Sequence, residues 1–220
     1  MAADLDRRYD LKERYDDEVA LPLQTTVSNT LRHLGVIEDD ACLEIMIRSQ
    51  IPIASGMGSG TAVATAIVRA LAEYYGRLLD AGTVSDLVYQ TELILHGNPS
   101  GIDNTVVAYE NPVYFCRGQS PEPFYVRRPF VLLVAGTGVP SKTRQAVGFV
   151  RRAWEREPAR LGTLFDHIGQ TVDDARAAIA AGQVGRLGAL MNSNHRMLCE
   201  MGVSSPELDR LVEVALSSGA

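Results

Sequence analysis

Two carboxylates, Glu92 and Asp103, flank the run Leu93-Ile94-Leu95-His96-Gly97-Asn98-Pro99-Ser100-Gly101-Ile102. An acid near an apolar helix end and a second acid just past a rigid Asn-Pro-Ser-Gly turn suit a metal-assisted group transfer. One carboxylate can hold Mg2+ while the other accepts the proton of an attacking hydroxyl. The same residues also fit plainer roles, Glu92 as a solvated helix residue and Asp103 as a helix N-cap. His96 taken alone reads as a hydrogen-bonded structural histidine rather than a catalyst.

A second segment complements the first. In Pro52-Ile53-Ala54-Ser55-Gly56-Met57-Gly58-Ser59-Gly60-Thr61-Ala62, three glycines fall within five positions between an expected strand and an expected helix. Such glycines let the backbone approach an anion, and a helix start adds unpaired N–H groups and the positive dipole end. Phosphate is the natural ligand. No Lys follows the last glycine, so this is not a Walker A loop. Thr61 stands where the dinucleotide fingerprint requires its third glycine. A glycine-rich turn that only joins two elements is the alternative reading. Thr137-Gly138-Val139-Pro140-Ser141-Lys142-Thr143-Arg144 could present hydroxyls and a cation, or simply connect a strand to a helix. His195 and Cys199 lie one helical turn apart, but no further metal ligand is near in sequence, so packing is their expected role.

These residues need elements to position them. A helix is expected from Pro22, with Leu23, Val27, Leu31 and Leu34 on one face and Gly35 as its stop. Residues 42–48 alternate like a strand. After the glycine segment, Val63, Ala66, Ile67, Ala70, Leu71 and Tyr74 mark the expected buried face of a helix. Another helix is expected over 83–95 with Thr83 as N-cap. Val113 to Arg117 and Phe130 to Ala135 read as strands. Beyond Thr143 the chain reads as helical, with Leu161, Leu164, Phe165, Ile168, Val172, Ala175 and Ile179 in one stripe. Leu187, Leu190, Met191, Asn194, Leu198 and Met201 form a second. Ser205-Pro206-Glu207 opens a last helix with a cap residue, a proline and an acid. A strand-rich first half followed by a helical second half implies an α+β protein of two lobes, with the boundary near 121–129.

The chain has 220 residues, 46% of them hydrophobic and 22% charged, which is enough apolar content to bury a real core. Its net charge of -6 disfavours a non-specific nucleic-acid binder. No apolar run is long enough to cross a bilayer. The charged first twenty residues lack the apolar stretch of a signal peptide. Three widely spaced cysteines fit reduced thiols. A cytoplasmic protein without membrane or nucleic-acid partners is expected.

Together the motifs resemble the superfamily of galactokinase, homoserine kinase, mevalonate kinase and phosphomevalonate kinase. Pro52 to Ala62 resembles its phosphate loop. His96-Gly97-Asn98-Pro99-Ser100-Gly101-Ile102-Asp103-Asn104 is very similar to the mevalonate kinases. Val139-Pro140 with Thr143-Arg144, and Met191-Asn192-Ser193-Asn194 followed by Gly202-Val203-Ser204, are similar as well. The resemblance spans nearly all of residues 20–220. It implies a two-lobed α+β kinase fold: an N-terminal lobe over 1–125 with a ribosomal-protein-like sheet, and a helix-rich C-terminal lobe over 126–220. It implies ATP and Mg2+ as cofactors, mevalonate as substrate and 5-phosphomevalonate as product. By position it makes Asp103 the base and Glu92 the Mg2+ ligand. Ile53, Ala54, Ser55, Gly56, Met57, Gly58, Ser59, Gly60 and Thr61 would embrace the ATP phosphates. His96, Ser100 and Thr143 would lie on the substrate side. Relatives of this kind often pair, so a homodimer is implied.

Two departures stand out. The second serine of the family's phosphate loop, its usual Mg2+ ligand, is Gly60 here, so Ser59, Thr61 or water would have to replace it. The family's N-terminal lysine segment and its closing Gly-Ala-Lys-Leu-like segment are both absent from this sequence, so a chain truncated at both ends, both lobes incomplete, is expected. Two alternatives accompany this reading. One is a sister kinase acting on phosphomevalonate or on the 3-hydroxyl of mevalonate. The other is a non-catalytic remnant that binds nucleotide.

Overall fold

The computed structural model describes residues 20–36, 43–51, 56–139 and 143–219. Helix α1 spans Ala20–Leu34, with Val27 and Leu31 buried on the expected face. Thr26 and Thr30 are buried beside them. Their hydroxyls are satisfied locally: Thr26 donates to the Pro22 carbonyl at 2.8 Å and Thr30 to the Thr26 carbonyl at 2.6 Å. This back-bonding lets a helix bury a hydroxyl without an orphaned donor.

Helix α2 spans Ser59–Tyr74 and α3 spans Ala81–His96. Val27 and Leu31 of α1 pack on Ile67 and Leu71 of α2. Ala64 and Val68, on another side of α2, pack with Val84 and Val88 of α3 and Ala108 of α4 (Ile102–Tyr109). Because α2 is covered on two sides, its buried stripe is wider than the expected one and turned away from it. Thr61, Ala64, Thr65, Val68 and Ala72 are buried, whereas Ala66, Ala70 and Tyr74 face solvent. Between α1 and α3, Thr26 and Thr91 bring their hydroxyl oxygens to 2.6 Å. The Thr26 proton already goes to Pro22, so Thr91 is the donor.

The N-cap of α3 is Asp80 rather than the expected Thr83. The Asp80 carboxylate accepts the Thr83 N–H at 2.8 Å, and this bond holds its carboxyl below the usual aspartate range. The preference for a cap three residues upstream of the bonded N–H accounts for the offset.

Residues 43–50 form no strand, although Leu43 and Ile47 pack against the α1–α2 cluster. Phe130 to Ala135 form none either, and Val131 and Leu133 are 95% and 93% exposed. An alternating pattern becomes a strand only when another strand accepts its backbone hydrogen bonds. Among the described residues neither segment has such a neighbour. The one sheet among them is antiparallel, pairing β1 (Val113–Tyr114) with β2 (Glu122–Pro123).

The chain divides into two compact units, Met1–Pro123 and Phe124–Ala220. The second holds α5 (Thr143–Arg156), α6 (Pro158–Ala181), a short 3-10 turn at Val184–Arg186, α7 (Leu187–Met201) and α8 (Pro206–Ser217). Leu161, Leu164 and Met201 form its buried centre, with Val150, Ile168, Met197 and Val203 around them. Phe165 and Val172 of the expected α6 stripe are 40% and 48% exposed, outside that buried centre. Helix α8 begins as expected, with Ser205 accepting the Leu208 N–H and Pro206 in the first turn. Among the described residues no helix is long and apolar enough to cross a membrane.

Candidate functional site

The glycine segment ends in the N-cap of α2. Gly58 takes a left-handed conformation, φ +65°, which an L side chain rarely adopts. The first backbone bond into the helix runs from the Ala62 N–H to the Gly58 carbonyl at 2.9 Å. The N–H groups of Ser59, Gly60 and Thr61 therefore have no acceptor within the helix, the usual condition of a first turn. They lie at the positive end of a 16-residue helix. Pro52, Ile53, Ala54 and Ser55, at the start of the expected phosphate loop, lie outside the described residues.

Thr61 turns inward and is 2% exposed. Its hydroxyl donates to Glu92 Oε1 at 2.7 Å. Glu92 sits on the last turns of α3 and is also 2% exposed, so the solvated-helix reading of this residue does not hold. Its other oxygen lies 3.4 Å from His96 Nε2, one helical turn on. His96, expected on the substrate side, is thus engaged by Glu92 while its ring stays half-exposed.

Gly60 lies against α3. A Cβ there would stand 3.2 Å from Leu95 Cδ1, close enough that the leucine tip would have to shift. The hydroxyl that meets Glu92 is supplied one residue later, by Thr61.

Helix α3 ends at His96, where the Gly97 N–H donates to the Leu93 carbonyl at 2.8 Å. The turn over 97–101 leads straight into α4. Ser100 is exposed, and its hydroxyl oxygen accepts the Ile102 N–H at 3.3 Å. The N-cap of α4 is Gly101 at φ +93°, packed so that a Cβ would stand 3.2 Å from Phe115 Cζ. Asp103 is therefore not an N-cap. It stands exposed in the first turn, where a carboxylate is favoured by the helix dipole.

Residues that the sequence reading did not single out hold this turn. Asn104 is buried and donates through Nδ2 to the Ser85 hydroxyl at 2.8 Å and the Ser85 carbonyl at 3.2 Å. Thr105 donates to the Gly101 carbonyl at 2.6 Å. Asn104 thereby ties the start of α4 to α3, and Thr105 closes the first turn of α4 on its cap residue. Asparagine next to the acid is visible in sequence, but its partner 19 residues back is not. A cavity of about 280 Å3 beside this turn is lined by Ser85, Tyr89, Ser100, Asn104, Phe115 and Arg117, among others.

Thr143 opens α5 in the second unit, and Pro140, Ser141 and Lys142 lie outside the described residues. The structure thus joins Thr61, Glu92 and His96 by direct contacts, and Ser100 and Asp103 through one turn. For a hard divalent cation the donor set is appropriate. Glu92 is a carboxylate with lone pairs beyond its present bonds, and Thr61 keeps its own while donating its proton.

Residues 23–111 match the GHMP kinases N terminal domain. The mevalonate kinase of Pyrococcus horikoshii is 35% identical over 184 residues, covering 81% of this chain and 54% of that protein. That of Thermococcus sibiricus is 35% identical over 181 residues, covering 80% and 54%. The chain spans about half the length of these curated relatives. A crystal structure of L. major mevalonate kinase in complex with R-mevalonate superposes with a TM-score of 0.77 at 28% identity, covering 90% of this chain and 62% of that one. The glycine-led helix, the buried carboxylate behind it and the acid after the Asn-Pro-Ser-Gly turn all fall within the matched stretch. Residues 23–111 thus belong to the GHMP kinases N terminal domain family, and over about four-fifths of its length the chain is similar to mevalonate kinases, whose α+β fold it shares in part.

Proposed function

We propose that this site transfers the γ-phosphate of ATP to the primary hydroxyl of mevalonate, giving 5-phosphomevalonate. The observation that carries the reading is the buried Glu92 carboxylate bonded to Thr61 directly behind the start of α2. In this reading the N–H groups of Ser59, Gly60 and Thr61, which have no acceptor within the helix, bind phosphate oxygens. Glu92 holds Mg2+, with the hydroxyl of Ser59 or Thr61 beside it. When bound, that ion neutralises charge on the transferring phosphoryl group.

Asp103 accepts the proton of the mevalonate hydroxyl as its oxygen bonds to phosphorus. The bridging bond to the departing nucleotide diphosphate breaks in the same step. An exposed carboxylate on a turn pinned by Asn104 and Thr105 can meet substrate without first breaking an internal bond. His96 and Ser100 belong to the substrate side, with His96 keeping its Nε2 on Glu92. The unpaired and exposed Cys116 and Cys199 support a cytoplasmic setting. Pairing of two copies is part of the same reading and rests on the family resemblance.

The test is a panel of acceptors given to the purified protein with ATP and Mg2+. ADP release would be followed, and phosphorus NMR would locate the new ester. Turnover with mevalonate and a phosphate on the primary oxygen is expected. Phosphate on the tertiary oxygen, turnover with phosphomevalonate alone, or ATP binding without turnover would each displace this reading.

A further inference from the structure

Helix α7 presents His195 and Cys199 one turn apart, and the first turn of α8 brings Asp209 against them. Cys199 Sγ lies 3.5 Å from His195 Nε2 and 3.6 Å from Asp209 Oδ1, and His195 Nε2 lies 3.1 Å from the same Asp209 oxygen. We propose that these three side chains form a Zn2+ site. Neither the family match nor the phosphate-transfer chemistry calls for it.

Three physical points support the assignment. Tetrahedral Zn2+ takes one sulfur at about 2.3 Å and nitrogen or oxygen at about 2.0–2.1 Å, which sets ligand atoms roughly 3.3–3.6 Å apart. The triangle formed by Sγ, Nε2 and Oδ1 is close to that size before any ion is placed in it. A nucleophile relay is the obvious competitor, but there the acid bonds the ring nitrogen opposite the one facing the nucleophile. Here the thiol and the carboxylate meet the same nitrogen, so the three donors converge on a point instead of forming a line.

The third point is the support around the ligands. The Ser204 hydroxyl donates to Asp209 Oδ1 at 2.6 Å and holds the carboxylate in place. Hydrogen-bonded partners that orient a ligand in this way accompany most metal sites. Ser205 caps α8 one residue later and fixes the approach of Asp209 to α7. A thiolate, an imidazole and a carboxylate together favour a borderline-soft ion over Mg2+ or Ca2+. His195 and Asp209 are 24% and 47% exposed at their side chains and Cys199 is exposed, so ions can enter from solvent and water can fill the fourth position.

The experiment titrates tag-free, metal-stripped protein with ZnCl2 by calorimetry and with CoCl2 by absorption. One saturable equivalent is expected, with Co2+ giving the intense visible bands of tetrahedral coordination and a thiolate-to-metal charge-transfer band. Cys199→Ser should weaken Zn2+ binding by roughly 100-fold or more. Ser204→Ala should weaken it by about 10-fold, in the range found for groups that orient a ligand. Absence of saturable binding, equal affinity in Cys199→Ser and the parent, or a Co2+ spectrum without the thiolate band would overturn the proposal. The Co2+ spectrum is read on the parent protein, so it decides the matter even where a variant fails to fold.

Discussion

Thr61 Oγ1 donates to Glu92 Oε1 at 2.7 Å, and both residues are 2% exposed. This bond links the glycine-led start of α2 to the far end of α3, residues 31 positions apart. Replacing Thr61 by Val keeps the shape and removes the donor, leaving a buried carboxylate oxygen short of a partner. Such a loss costs roughly 1–3 kcal/mol, and the midpoint of urea denaturation should fall accordingly. Glu92→Gln keeps the size and removes the charge. It should raise the half-saturating Mg2+ concentration for turnover several-fold, and an unchanged Mg2+ titration would take the metal away from Glu92.

Asp103 stands exposed in the first turn of α4, so its replacement should leave folding alone. Asp103→Asn is expected to lower kcat by about 10²–10⁴-fold, the usual range for loss of a general base. Melting temperature should fall only slightly, since Asn loses a charge whose interaction with the helix dipole is worth about 0.3–1 kcal/mol. Near-parent turnover would remove Asp103 from the role of base.

Gly101 combines a φ of +93° with a packed neighbour, Phe115 Cζ, 3.2 Å from where a Cβ would stand. Gly101→Ala should therefore destabilise the first unit by roughly 1–3 kcal/mol, the usual range for a residue held in a sparsely populated conformation. Denaturant midpoints of the two proteins check this, and equal midpoints would mean that the turn relaxes without cost.

Asp80 caps α3, and the Thr83 N–H holds its carboxyl below the usual range. A carboxyl lowered in the folded state adds stability above its unfolded pKa and loses it as pH falls through the folded value. Asp80→Ala should lower the melting temperature at neutral pH, and the gap to the parent should close in acid. A gap that stays constant from neutral to acid pH would show that charge has no part in the cap.

Much of the local architecture was legible in the residues themselves. Ser205-Pro206-Glu207 announces α8 because a cap, a proline and an acid each act within one turn. Leu23, Val27, Leu31 and Leu34 announce α1 for a similar reason, since helical spacing is a local property. Burial faces were less legible. The stripe assigned to α2 was displaced because that helix packs on α1 from one side and on α3 and α4 from another. Two alternating segments, 42–48 and 130–135, looked like strands, but a strand depends on a partner elsewhere in the chain.

The site divides along the same line. The sequence by itself determined the types of residue, the glycines before α2, the acids at 92 and 103 and the rigid turn between them. It did so because backbone freedom, turn geometry and charge belong to neighbours in the chain. Only the tertiary structure decided that Glu92 is buried and bonded to Thr61, that Asn104 anchors on Ser85, and that Asp209 joins His195 and Cys199. Each of those relationships crosses from one helix to another, and packing sets the distance between helices.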